Sequence, residues 1–180
     1  MKYPIKYIAQ DVAKFGPLAG RACNLISFGG EKKLSEKKIV KIANMLKPIG
    51  AVVMVGDDPF QWDIWPLVER FIRSGRYVEV HCTGNYPLPS NFSVIPKAVF
   101  VSCWPNKRKI HESIERTAFC FIYAVSKKNS AKNGLPKKVY CPANKQKIVV
   151  VPDWSRDLVE TTEFAKQLCI EHGYYMSYPW

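Results

Sequence analysis

Two adjacent carboxylates, Asp57 and Asp58, directly follow the apolar run Val52-Val53-Met54-Val55-Gly56 and precede Pro59-Phe60, where a helix-like pattern begins. An apolar run this short and β-branched reads as a strand buried on both faces. In parallel α/β sheets the C-terminal strand ends carry the ligand-binding loops, so these acids stand where they can accept from a ligand's amino group. Gly56 permits a sharp turn or a close backbone approach with no Cβ in the way. The turn also has a purely local reading, in which Asp57 or Asp58 caps the helix that follows, and spacing leaves both open. Thr83, Asn85 and Ser102 stand at the ends of two further apolar runs and add polar contacts to the same rim. Gly56, Asp57, Asp58, Pro59, Thr83, Asn85 and Ser102 are therefore the candidate cofactor-binding set, and no residue is singled out as catalytic.

Other reactive side chains are dispersed. His81 and Cys82 are neighbours in a strand-like run and must point to opposite faces, so structural roles are expected for the histidines and no metal site is assigned. The six cysteines, at 23, 82, 103, 120, 141 and 169, include no C-x-x-C pair and mostly sit in or beside apolar segments, which predicts free thiols rather than a disulfide framework. The formal charge is +12, and no acid occurs between Glu115 and Asp153. Lys127, Lys128, Lys137 and Lys138 in that stretch are candidate nucleic-acid contacts, with Trp104, Tyr123, Tyr140 and Trp154 available to stack on bases. A solvated loop and ordinary core packing are the plainer readings of the same residues.

The elements that position these groups alternate. Residues 1 to 19 read as an extended lead-in, followed by a strand at 21 to 28, a loop at Gly29-Gly30 and a helix capped by Ser35 and ended by Pro48. A strand at 51 to 55, a helix from 63 to 74 and a strand from 76 to 82 come next. After a proline-rich loop at 86 to 96 there is a strand at 98 to 102, a short helix within 106 to 116 and a strand at 118 to 125. A basic excursion at 126 to 147, a strand at 148 to 151, a helix ending at Gly173 and an aromatic tail complete the chain. Right-handed crossovers turn this order into an α/β fold of one domain, 1–180: a partial β/α barrel with a curved, mostly parallel sheet. With 47% hydrophobic residues the core is adequate, and no apolar run approaches the about 20 residues of a spanning helix, so a soluble cytoplasmic protein is expected.

The rim sequences resemble a known superfamily. Gly56-Asp57-Asp58-Pro59 after an apolar strand is similar to the Gly-Gly-Glu-Pro motif of radical S-adenosylmethionine enzymes, whose strand edge receives the amino group of the methionine moiety. Cys23-Asn24-Leu25 is similar to the start of their Cys-x-x-x-Cys-x-x-Cys loop. Thr83-Gly84-Asn85 and Ser102-Cys103-Trp104-Pro105 stand near the later turns of the compact 7-carboxy-7-deazaguanine synthases, which the element order resembles most; the activases of anaerobic ribonucleotide reductase come second. With Cys23 as the first cysteine, Ser27 and Gly30 occupy the other two ligand positions, and a four-iron cluster with one open iron needs three thiolates. The resemblance thus implies a degenerate relative without an iron-sulfur cluster. It retains at most the binding of S-adenosylmethionine or a nucleobase-like ligand, and enzymatic activity is left open. The alternatives are a nucleic-acid-binding or protein-interaction module on the same scaffold, and an active 7-deazapurine-pathway enzyme with an atypical cluster site.

Overall fold

The computed structural model describes residues 1–46, 49–92 and 95–177. The helix stop at Pro48, part of the 86–96 loop and the last three residues of the aromatic tail lie outside them. Eight strands hydrogen-bond in strict chain order into one sheet: β1 (Lys2–Val12), β2 (Ala22–Ser35), β3 (Ala51–Gly56), β4 (Tyr77–Cys82), β5 (Val99–Cys103), β6 (Cys120–Val125), β7 (Ile148–Pro152) and β8 (Tyr175–Met176). β1 and β2 are antiparallel, and every later pair is parallel. Helices α1 (Glu36–Met45), α2 (Trp65–Arg73), α3 (Glu112–Thr117) and α4 (Leu158–His172) lie in the crossovers. This is the expected partial β/α barrel. No helix among the described residues is long and apolar enough to cross a membrane.

The period of two along each strand sorts side chains between two faces. Met54, Val80, Val101, Phe121 and Val150 face outward and pack with Ile39, Leu67, Val68, Phe71, Ile114 and Leu168 from the helices in one core. Each such side chain contributes about 1.5–3 kcal/mol of burial, which holds the helices and fixes the strand ends. The concave face is covered differently. Loop residues 13–21, closed by Ala13 N–H to Arg21 O at 2.8 Å and Gly20 N–H to Ala13 O at 2.8 Å, fold back across it. Ala13 and Leu18 pack there against Cys23, Ala51 and Val53, so the lower half of the barrel is filled by its own chain.

Several boundaries differ from expectation for identifiable reasons. Gly29 and Gly30 are not a loop: β2 continues to Ser35, because Lys32 to Ser35 pair with the first residues of β1 while Ala22 to Phe28 pair with its second half. The glycines occupy the bulge where the two registers meet. Helix α2 begins at Trp65 rather than Asp63, whose carboxylate instead accepts from Trp65 N–H at 3.2 Å. Helix α3 is confined to 112–117, capped by His111. The excursion at 126 to 147 takes the place of a helix between β6 and β7; Leu135 is buried in the outer core, and Tyr123 Oη donates to Tyr140 O at 2.8 Å.

Candidate ligand-binding cleft

An acid within the apolar strand β4 is the starting point. Alternation puts Glu79 and His81 on the concave face, and the parallel register sets His81 beside Ser102 of β5. Glu79 is fully buried. A buried carboxylate is tolerated only when donors replace its water, and here Ser102 Oγ donates to Oε1 at 2.6 Å and Leu18 N–H to Oε2 at 3.1 Å. His81 Nε2 lies 2.9 Å from the same Oε1, at an angle too oblique for a hydrogen bond. Trp104 donates its indole N–H to His81 Nδ1 at 2.9 Å. Nδ1 is therefore the bare nitrogen, and the ring proton sits on Nε2, which has no hydrogen-bond acceptor among the described residues. Gly16, at φ +76°, lies directly over Glu79, and any Cβ there would collide with Oε1. The loop at 13–21 is thus pinned to the sheet by one buried carboxyl group.

Above this floor a cleft of about 420 Å³ runs along the concave face from Asp11, the register partner of Cys23, to Gly56 and Thr83 at the C-terminal rim. Its walls are Tyr7 and Asp11 of β1, Lys14 and Phe15 of the pinned loop, Val55 and Gly56 of β3, His81 and Thr83 at the end of β4, and Trp104 and Trp154 beyond β5 and β7. Phe15 stacks on Trp154, with centroids 5.2 Å apart at 15°, and meets Trp104 edge-on at 5.1 Å and 83°. His81 stacks on Trp104, with centroids 6.2 Å apart at 30°. The result is a mostly apolar slot with flat walls and few polar groups, the usual composition of a small-molecule site.

The residues singled out from the sequence fall into three places. Gly56 and Thr83 line the cleft. Asp57 is exposed on the rim, with its carboxylate over Gly29, and Asn85, beyond the end of β4, donates through Nδ2 to Thr83 Oγ1 at 2.7 Å and to Asn106 Oδ1 at 3.1 Å. Asp58, Pro59 and Ser102 are buried. Both Asp58 oxygens are occupied: Oδ1 accepts from Phe60 N–H at 3.3 Å, and Oδ2 accepts from Thr83 N–H at 2.9 Å and from the Thr83 hydroxyl. Asp58 thus caps the short 3-10 turn Pro59–Gln61 and ties it to the end of β4. Ser102 lies under the floor on Glu79. Lys127, Lys128, Lys137 and Lys138 are exposed on the excursion and do not line the cleft. Sequence reading missed Asp11, Phe15 and Glu79, although an acid two residues before a histidine in Tyr77-Val78-Glu79-Val80-His81-Cys82 was a legible signal.

The strand register overturns one placement. Asn24 pairs with Val52 and Phe28 with Gly56, so Cys23 lies at the N-terminal end of β2, opposite the rim, and is fully buried. The rim position beside Gly56 is held by Phe28-Gly29-Gly30-Glu31, which carries no thiol. Cys82 and Cys103 are register partners on the outward face, and their mutual hydrogen bond together with burial raises the Cys82 thiol well above its ordinary value. Burial, aided by Asp11 and Glu79, pushes Cys23 up to about 11. Burial pushes Cys120 up to about 12 against the opposing Ser102 hydroxyl. Cluster ligands must be thiolates converging on one point, and these residues do not fit an iron-sulfur cluster. No group of three or more potential ligands gathers among the described residues.

All six cysteines are free, and Cys141 is the exposed one. At pH 8 a thiol of pKa about 11 is roughly 0.1% thiolate, so Cys23 and Cys120 should be inert in the folded protein. Titration with a chromogenic disulfide is expected to give one fast thiol, abolished by Cys141→Ser, and all six after denaturation. Rapid native reaction at three or more thiols would contradict the arrangement.

The fold is a partial β/α barrel. Its backbone is similar to the crystal structure of QueE from Escherichia coli, with a TM-score of 0.75 over 99% of this chain and 94% of that one at 14% identity. A 7-carboxy-7-deazaguanine synthase from Koribacter versatilis (strain Ellin345) is 32% identical over 92 residues, a stretch covering 46% of this chain and 41% of that protein. The match thus spans about two fifths of the curated relative. No family model matches the chain. The two likenesses together support a radical-SAM-like relationship.

Proposed function

We propose that this protein is a radical-SAM-like scaffold without an iron-sulfur cluster that binds a small nucleoside-like ligand, S-adenosylmethionine or a deazapurine-like base, in the rim cleft. The observation that carries the reading is the juxtaposition at one rim: a thiol-free Phe28-Gly29-Gly30 segment where a cluster loop would leave β2, beside a flat-walled aromatic cleft. The similarity to a 7-carboxy-7-deazaguanine synthase favours a nucleoside or purine-like ring over other planar ligands. Phe15, Trp104 and Trp154 supply faces for such a ring. Asp11, which lines the cleft at the register position of Cys23, accepts from a ligand amino group, the part that sequence spacing had given to Asp57 or Asp58; both Asp58 oxygens are already engaged. Without a cluster there is no electron source for reductive cleavage, so the cleft binds and orients a ligand.

Calorimetry with S-adenosylmethionine, S-adenosylhomocysteine and guanine-like bases tests this. Heat of binding is expected from at least one of them. Asp11→Asn should weaken that ligand roughly tenfold or more, the usual loss for a charge-assisted hydrogen bond, while Asp58→Asn should lower the melting temperature and leave affinity nearly unchanged. Silence from every ligand at millimolar concentration would remove the reading.

A further inference from the structure

The cleft holds two opposite charges close together. Among the described residues that line it, Asp11 is the only acid and Lys14 the only lysine or arginine, and His81 spends Nδ1 on Trp104. Both side chains are exposed, and neither pairs with the other or with any other charged group among the described residues. Asp11 Oδ1 takes the N–H of its neighbour Val12 at 2.8 Å, and Oδ2 is left for a ligand. The backbone around Lys14 is fixed on both sides: Ala13 N–H donates to Arg21 O at 2.8 Å, and Ser177 Oγ to Lys14 O at 3.2 Å. Three residues of chain separate the two, so their Cα atoms are at most about 11 Å apart, and one small head group can touch both side chains. The cleft that leads away from them is long. Asp11 pairs with Cys23 and Gly56 with Phe28, and the run of β2 from Cys23 to Phe28 spans about 17 Å at about 3.3 Å per residue.

We infer that Asp11 and Lys14 form a subsite for an α-amino-acid head group, whose ammonium donates to Asp11 and whose carboxylate accepts from Lys14, while the ligand's ring lies against Phe15, Trp104 and Trp154 toward the rim. The inference rests on the proposed ligand-binding reading of the cleft and selects among its ligands: a nucleoside that carries an amino acid, not a bare base. Charge decides the head group. A phosphate would meet Lys14 but be repelled by Asp11, and a lone amine would meet Asp11 but be repelled by Lys14. A head of both signs satisfies both residues, and each contact is a charge-assisted hydrogen bond. Length points the same way. A planar base covers only the aromatic end of the cleft, whereas a nucleoside joined through a thioether to an amino acid extends along it to Asp11. Leu25, Val53 and Val55 line the stretch between and offer an apolar floor to the thioether and its methylenes. The head then points away from the Gly56-Asp57-Asp58-Pro59 turn, whose buried acid is already engaged by Phe60 and Thr83.

The test is calorimetry with probes that share an adenosine and differ in what it carries. S-adenosylhomocysteine has the amino-acid head, methylthioadenosine keeps the thioether without the head, and adenosine monophosphate puts a phosphate in its place; a guanine-like base is a separate arm. S-adenosylhomocysteine is expected to bind at least about tenfold more tightly than any of the others, the gain of charge-assisted hydrogen bonds at the head. Lys14→Gln and Asp11→Asn should each weaken it roughly tenfold and change methylthioadenosine by less than about twofold, and Lys14→Arg, which keeps the charge, should retain most of the affinity. Both side chains are exposed, so the variants are expected to melt with the parent. Adenosine monophosphate binding as tightly as S-adenosylhomocysteine, or a Lys14→Gln variant with the parent's affinity and selectivity, would overturn the inference. Methylthioadenosine or the base binding as tightly as S-adenosylhomocysteine overturns it and leaves the small-ligand reading standing. Silence from every probe removes that reading and the inference together.

Discussion

A Glu79→Ala variant is expected to lose about 3–5 kcal/mol of unfolding free energy, because two buried donors are left without their acceptor at about 1–3 kcal/mol each. For a domain of this size that is a fall in melting temperature of roughly 6–20 °C. The reason lies in what the carboxylate holds. Ser102 Oγ and Leu18 N–H would both be left without acceptors inside the barrel, and His81 Nε2 would lose the carboxyl oxygen beside it. Glu79→Gln keeps the shape and one acceptor oxygen, and should cost about 1–3 kcal/mol. Because Leu18 and Phe15 belong to the same pinned loop, Glu79→Ala should also weaken ligand binding by loosening Phe15 over Trp104 and Trp154. Urea unfolding followed by tryptophan fluorescence measures the first effect. A loss below 1 kcal/mol would mean that the loop is held by its apolar contacts and that the carboxylate is incidental.

Gly56→Ala is expected to be nearly as damaging, by about 3 kcal/mol or more. At φ +102° an L side chain is strained wherever it sits, and here the added Cβ would also run into the backbone carbonyl of Phe28 on the neighbouring strand. A carbonyl within a paired ladder cannot swing away as a flexible side chain can, so β2 and β3 would have to part at the rim. Hydrogen exchange at the amides of residues 54 to 57 should accelerate more in this variant than at β6 and β7. Full retention of stability would show that Gly56 serves ligand access alone, which was one sequence-level reading of it.

The barrel was legible because period-two and period-3.6 patterns alternate cleanly along the chain, and Ile39, Leu67, Phe71 and Leu168 face inward where periodicity put them. Ser35 also caps α1 as its type and position suggest, accepting from Lys38 N–H at 3.4 Å. The extension of β2 through Gly29 and Gly30 was not legible, because glycine pairs mark loops and bulges alike and the decision belongs to pairing with β1. Asp57 and Asp58 illustrate the limit of spacing. Adjacent residues after a strand point apart, so one ends exposed and the other is buried among three donors. The fold-back of residues 13 to 21 over Glu79 was invisible because it depends on a contact between residues 61 apart in sequence. Cys23 was misplaced by reading three residues as a motif without a register; its pairing partner sets it at the far end of the strand from the rim.

The proposal that this barrel works without a cluster is tested most directly by iron. The protein is expressed and purified anaerobically, incubated with ferrous iron, sulfide and reductant, desalted, and analysed for iron and acid-labile sulfide together with its visible absorption. Phe28-Gly29-Gly30 at the rim and a Cys23 buried at the opposite strand end predict well under one iron per chain and no charge-transfer band. About four irons and four sulfides per chain with the matching absorption would contradict the account.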